Sequence, residues 1–524
     1  MRLEGKGRAG GRLTGSRLTG GGKDRAPLCE ALAEHVERGG TSFHLPAHKG
    51  GRWAETDLLK LIGRQAFRAD LTELPGLDDL HAPGSAIAEA QRLAAETFGA
   101  DESFFLVNGS TAGLQALILA ASVPGGTVIL PRNAHRAVVG ALILAGARPA
   151  WVQPRVDPSS GVVYGPSPGA YSRALAENPG ASCLVVLHPT YEGLVGDLGA
   201  IAREAHAAGV TVVADEAHGA HFAFHPGLPR PALAQGADGS VQSLHKTVGS
   251  LTGSSLLHLR GKRIDYARLR ASLALLQTSS PSYLLMSSLD SARRWAATGA
   301  EQRLQRLLEA VPVLAGRINA LEGLRCWGDE LVGLPGVVGR DPLRLLLDGR
   351  GIGLPGPALA AELRQEGVWT EMSTSAFVLA LVSLADTGGS LRRLGWAVER
   401  VWGRVTGRGP TAGLARPGGR GGAQTFTVRG LAPLLPAPLP PAPLPPREAF
   451  FSPARPRPLE EAVGRVSAAT VSVSPPGTPA LCPGEVITPE IASFLHQSLG
   501  SGATVTGLLQ AEPPVLATVD GEVP

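Results

Sequence analysis

Lys246 lies in the stretch VQSLHKTVGSLTGSSLLHL, just past a short apolar run and among hydroxyls with few other charges. Desolvation there lowers an amine's pKa and makes it a nucleophile for an aldehyde. Upstream, VTVVADEAHGAHF places Asp215 at the end of a run that reads as a buried strand. A buried carboxylate needs a cation, because an unpaired charge away from water is expensive. A protonated pyridine nitrogen would be such a partner, each charge holding the other ionised. The adjacent Glu216 points the opposite way in an extended chain, so a structural role is expected for it. In VNGSTAGLQALILA a strand leads through Asn108, Gly109, Ser110 and Thr111 into a helix. Free N–H groups at a helix start, with two hydroxyls and a glycine, form a phosphate cradle. His135 in RNAHRAV could stack on a flat heteroaromatic ring. Thr190 or Tyr191 in HPTYEGLVGDL could bond that ring's phenolic oxygen. Each piece also has a plain alternative: a helix N-cap at 108–111, a salt-bridged Asp215, a solvated Lys246, and loop residues at 135 and 190–191. The order of cradle, imidazole, acid and lysine, each after an expected strand, argues for one site.

These residues need a scaffold. Strands are expected at Phe104–Val107, Thr127–Leu130, Cys183–Leu187, Val210–Ala214, Val241–Ser243 and Ser255–Leu259. Helices are expected at Ala112–Ala121, Ala134–Ala145 and Leu198–Ala208. Such alternation, with strands apolar on both faces, implies an α/β fold with a mostly parallel sheet covered by helices. Ligands then collect beyond the carboxyl ends of the strands.

A chain of 524 residues suggests two or three domains, and 44% hydrophobic content against 18% charged supports a large core. The reading is a disordered basic tail (1–26), an N-terminal segment (27–88) opening with Leu28, Leu32 and Val36 at helical spacing, and a large ligand-binding domain (89–299). A small α+β domain (300–408), a Pro/Gly-rich linker (409–450) and a C-terminal α+β segment (451–524) follow. A helix is expected over PLEEAVGRVSAA in that last segment. Net charge is only +4, with the basic excess at Arg-rich ends, which does not favour nucleic acid. No apolar stretch is long enough for a bilayer, and the first residues lack a signal-peptide core. A soluble cytoplasmic protein is expected. Cys29, Cys183, Cys326 and Cys482 are too scattered to suggest a disulfide framework or a zinc site, and no metal is expected.

With those residues in view, the chain resembles the Orn/Lys/Arg decarboxylase family. The similar stretches include FHLPAHKGG, LTELPGLDDLHAP, FLVNGSTAG, PRNAHRAV, DEAHGAHFAF, SLHKTVGSLTGSSLLHL and LLQTSSPSYLLMSSLDSAR. The match runs from about residue 27 to 490 and extends into DPLRLLLDGRGIGLPG and the tail motifs. The resemblance implies an aspartate-aminotransferase-type large domain binding pyridoxal 5'-phosphate. It implies that Lys246 is the Schiff-base lysine, that Asp215 pairs with the pyridine nitrogen, and that His135 stacks on the ring. Gly109, Ser110 and Thr111 would hold the phosphate with help from Ser243 and His245, Thr190 would meet the ring, and His218 would lie near the ring or substrate. The activity implied is decarboxylation of arginine, lysine or ornithine to agmatine or a diamine, in polyamine metabolism, by a homodimer or higher homo-oligomer. Arginine is favoured by analogy with short biosynthetic members, whose length the chain shares. Thr278–Tyr283 would approach the partner's cofactor.

Departures from the family pattern fall at Ala47, usually glycine, at Leu244, usually small or hydroxylic, and at Ser474 and Thr478 in the tail turn. If that turn borders the substrate channel, specificity would differ. Two rival readings are an aminotransferase, for which Arg350 is a candidate carboxylate clamp, and a catalytically silent cofactor-binding regulator. Glu485 could meet a cationic substrate tail, but a surface glutamate is the expectation.

Overall fold

The computed structural model describes residues 22–408, 439–474, 477–500, 503–509 and 513–520. Of the expected disordered tail (1–26) and linker (409–450), residues 1–21 and 409–438 lie outside the described residues, whereas the described remainder carries a one-turn helix at Gly22–Asp24 and a helix starting within the linker at Pro446–Phe451.

The centre is a seven-stranded sheet of β1 (Glu102–Leu106), β2 (Thr127–Pro131), β3 (Arg148–Val152), β4 (Cys183–Leu187), β5 (Thr211–Asp215), β6 (Gly239–Gln242) and β7 (Ser255–Leu259). Its spatial order is β1-β7-β6-β5-β4-β2-β3. The pairs β2/β3, β2/β4, β4/β5 and β5/β6 are parallel, whereas β7 runs antiparallel to both neighbours. The sheet is therefore mostly parallel, as the alternation implied. Successive side chains serve opposite faces. Val128, Leu130, Val185 and Val213 pack with the helices Gly109–Ala121 and Arg136–Ala145 on one side. Ile129, Leu184, Val186 and Val212 pack with the helices Pro168–Glu177 and Leu198–Ala207 on the other.

Most expected strands fall within a residue or two of their places. β3 was not anticipated: it is an edge strand of sequence RPAWV, mostly half-buried, with a proline that only an edge tolerates well. The helix expected from Ala134 begins at Arg136, because His135 is its N-cap and accepts the Ala137 N–H at its Nδ1. A 37-residue helix, Tyr283–Asn319, runs through the expected boundary at residue 300 and joins the two units.

Beyond it a four-stranded antiparallel sheet orders Arg325–Trp327, Arg344–Asp348, Val378–Leu381 and Met372–Ser373. The helices Gly356–Gln365 and Gly388–Thr406 accompany it. In the C-terminal segment Ala454–Pro458 pairs with Val515–Val519, and Val471–Ser474 lies between Thr478–Leu481 and Thr504–Thr506. The helix expected over PLEEAVGRVSAA is absent. Its first residue, Pro458, ends a strand and turns follow, with Gly464 in the left-handed region at φ +82. Buried Leu459 and Ala462 imitate a helical period in a looped chain. Among the described residues no helix is long and apolar enough to cross a membrane.

Candidate active site

A cavity of about 350 Å³ opens at the carboxyl ends of the central strands. Gly109, Ser110, Thr111, His135, Asp215, His218, Ser243, His245 and Lys246 all line it. Residues far apart in sequence thus converge where strand-end geometry required.

The Gly109–Ala121 helix starts at the cavity with no side chain capping it. Asn108, at the cap position, instead accepts the Thr278 N–H through its Oδ1 at 3.3 Å. The first-turn N–H groups are therefore open to an anion, and the helix dipole favours one there. Gly109 has φ +72, which a side chain would strain.

Asp215 closes β5 and is only 7% exposed. Its Oδ1 accepts the Ala217 N–H at 3.2 Å, and among the described residues no lysine or arginine forms an ion pair with it. A buried carboxylate left this way suits a cationic ring nitrogen. Glu216 faces away as expected, accepting from Ala232 N–H at 2.8 Å and Gln242 Nε2 at 2.9 Å.

Lys246 follows β6 on the one-turn helix Leu244–Thr247, and its Nζ lies 2.9 Å from His218 Nε2. Burial holds the amine below its ordinary value, opposed by Asp215 and reinforced by Arg344. Burial, then Lys246 and Arg344, hold the His218 imidazole well below the usual range, so it is neutral. Arg344 donates from Nη2 to the His218 carbonyl at 3.0 Å. It is anchored by Asp341, whose Oδ2 lies 3.2 Å from Arg344 Nε and 3.0 Å from His221 Nε2. The Tyr191 ring packs 4.4 Å from that of His218, and its hydroxyl donates to Glu371.

His135 is exposed, and desolvation of the part of its ring that faces the protein lowers its pKa. Its remaining open surface borders the cavity, where a stacked ring would cover it. His245 bonds the Ser254 carbonyl through Nδ1 at 2.8 Å, and Ser243 Oγ lies 3.3 Å from Ser255 Oγ.

Thr190 is not brought to the cavity. Its hydroxyl accepts the Leu194 N–H at 3.2 Å and closes the turn, leaving Tyr191 and Glu192 to form the wall. Glu192 is buried, and desolvation pushes its pKa up to about 7. Arg350 is also elsewhere: it pairs with Asp348 at 2.6 Å and donates to the Ser159 carbonyl at 2.7 Å. Glu485 is not a surface residue, since it is 2% exposed and bonded to Arg132. Thr278, Ser279 and Ser280 are exposed and do not line this chain's cavity. Ala47 raises no conflict, because the left-handed residues of its turn are Lys49, Gly50 and Gly51. Leu244 is fully buried in the core.

Sequence reasoning passed over Asn133, Glu192, Thr252 and Thr374 as wall residues. Asn133 and Thr252 stand inside motifs that carried the resemblance, so a signal existed for them. Thr374 arrives from the small domain, and no local pattern marks it.

An uncapped helix start, a buried carboxylate without a cation and a desolvated amine fit pyridoxal phosphate. They match its phosphate, its ring nitrogen and its aldehyde.

The description "Orn/Lys/Arg decarboxylase, major domain" matches residues 26–390. An arginine decarboxylase of Bacillus subtilis (strain 168) is 36% identical over 482 residues, 92% of this chain and 95% of its own length. One of Bacillus anthracis is 33% identical over 92% of this chain and 94% of its own. Among solved structures, the Francisella novicida lysine decarboxylase LdcF superposes with a TM-score of 0.80 over 94% of this chain and 81% of that one. At 19% identity it shows the shared fold alone.

Proposed function

Since this chain belongs to the Orn/Lys/Arg decarboxylase family, and is a pyridoxal-phosphate-dependent decarboxylase of a basic amino acid, we propose that it acts on arginine and that Lys246 is its essential lysine. The observation that carries the site reading is the Lys246 amine 2.9 Å from a neutral His218, in the cavity that also holds Asp215 and the uncapped helix. Arginine is supported by relatives of that name at 36% and 33% identity over more than nine-tenths of their length.

When bound, the cofactor supplies an electron sink for the pair released from the Cα–carboxylate bond. The chain's residues do the rest. Ser110, Thr111 and the Gly109 backbone hold the phosphate at a helix start. Asp215 keeps the ring nitrogen protonated by its charge. His135 covers one ring face, and Ser243 and His245 complete the phosphate side. Leu114, Val163 and Leu187 add apolar surface to the cavity lining, which lowers the solvation of a departing carboxylate. Lys246 Nζ delivers the proton to the substrate Cα, and the neutral His218 orients that amine through the contact at its Nε2. Arg350 is committed to Asp348, so it does not clamp the substrate carboxylate as transamination would require.

Labelled arginine, lysine and ornithine, assayed separately with the cofactor-loaded protein, test the substrate. Arginine is expected to give agmatine and CO₂ with kcat/KM at least about tenfold above the others. An equal or better value for lysine or ornithine would overturn the choice of arginine. Lys246→Ala is expected to lose turnover and the visible absorbance of the loaded protein; retained turnover would overturn the site.

The enzyme acts as a homodimer or larger homo-oligomer in the cytoplasm under the same proposal. Phe43 (94% exposed) and Trp53 (89%), with the bare Thr278–Ser280 stretch, support a covering partner subunit. Four free thiols suit a reducing compartment. Light scattering should give at least twice the chain mass, and a monomer at micromolar concentration would refute assembly.

A further inference from the structure

Arg132 follows β2 and is 1% exposed; Glu485, 353 positions later, is 2% exposed. The guanidinium forks onto the carboxylate, with Nη1 donating to Oε1 at 2.6 Å and Nη2 to Oε2 at 2.8 Å. Arg132 also donates to the Ala480 carbonyl at 3.2 Å and to Cys482 Sγ at 3.3 Å, and Oε2 accepts the Cys482 N–H at 2.7 Å. The Trp151 ring packs 4.6 Å from the guanidinium carbon. Burying two charges adds little net stability, since apolar residues of equal volume do as well. What this pair does supply is direction, because a bidentate fork fixes both distance and plane.

It fixes a short strand of the C-terminal segment, Thr478–Leu481, against the loop that carries Asn133 and His135. Thr478, the strand's first residue, lines the cavity with Lys246. The preceding Gly477 lies so near that a Cβ there would stand 3.8 Å from His135 Cδ2. We infer that Arg132 and Glu485 are a positioning pair for decarboxylation. They hold the Thr478 wall against His135, and thereby set how the amino-acid substrate fits the cavity. This rests on the reading of that cavity as the place of reaction.

The test is a double-mutant cycle on the cofactor-loaded full chain, measuring KM and kcat with arginine for Glu485→Gln, Thr478→Val and the double variant. Glu485→Gln is expected to raise KM about tenfold with kcat within about threefold and the visible spectrum unchanged. Thr478→Val raises KM by less. The double variant should be no worse than Glu485→Gln alone, because the pair acts through Thr478. An unchanged KM in Glu485→Gln, or KM effects that multiply in the double variant, would overturn the inference. If Glu485→Gln does not fold, Arg132→Lys enters the same cycle, keeping the charge but losing the fork. Turnover surviving in Lys246→Ala would instead remove the cavity reading on which the pair's role depends.

Discussion

At Asp215 the charge logic is sharpest. The carboxylate ends a central strand, accepts one N–H from Ala217 and has no basic partner among the described residues. Its counterpart must come with the ligand, so removing its charge withdraws support from charge that develops only during reaction. Asp215→Asn, nearly the same shape, is therefore expected to lower kcat roughly 10²–10³-fold while the protein still folds. Steady-state kinetics beside a thermal melt check this, and a loss below about tenfold would contradict it. Lys246, Asp215 and His135 were legible because polar residues after apolar strands are conspicuous, and their side chains do point into the cavity. Thr190 was not, because three neighbours in one turn compete for the wall and a hydrogen bond to Leu194 decides which two win. Glu485 could not be read at all: its burial depends on an arginine in a different part of the fold.

At the scale of elements, the helix that opens at Gly109 can hold a phosphate only if it lies tightly on the sheet. Gly113 permits this, since a Cβ there would meet Leu106 Cδ1 at 2.5 Å and Val241 Cγ1 at 3.0 Å, both in fully buried side chains. Gly113→Ala should lift the helix off β1 and β6, destabilise the protein by about 1–3 kcal/mol and weaken pyridoxal-phosphate binding several-fold. Gly316 is the control: it is in the last turn of the Tyr283–Asn319 helix, and a Cβ there meets nothing within 4 Å. Alanine at that position should be neutral or stabilise by up to about 1 kcal/mol. Denaturant melts and a cofactor titration separate the two, and equal effects would discredit the packing argument. The same packing explains which elements the sequence revealed. Strands buried on both faces announce themselves as apolar runs, as β2, β4 and β5 do. The edge strand β3 carries a proline and a leading arginine, and so lacks that signature. The false helix near residue 460 shows the converse, where apolar spacing reports burial without reporting its cause.

Over the whole molecule, three parts of the chain meet at one cavity: the sheet with Lys246, the small domain through Thr374, and the C-terminal segment through Thr478. Around the central sheet the fold also buries ionisable groups away from that cavity, and their titration sets how stability varies with pH. Burial depresses His188 to about 4 and His258 to about 3, from 6.5. The unfolded chain takes up those protons first as pH falls, so stability drops on acidification below about 6.5. Glu216 has the opposite sign. Burial raises it to about 7 from 4.5, so the folded state keeps a proton that the unfolded chain has released, and stability falls as pH rises from 4.5 to 7. Glu216→Gln removes that titration while keeping an acceptor for the Ala232 N–H. Its stability relative to the parent should therefore be poorest near pH 5 and improve by about 2–3 kcal/mol by pH 7. Urea denaturation of the cofactor-free protein at the two pH values measures this directly. A stability difference that stays constant between them would mean that Glu216 is already ionised in the folded protein.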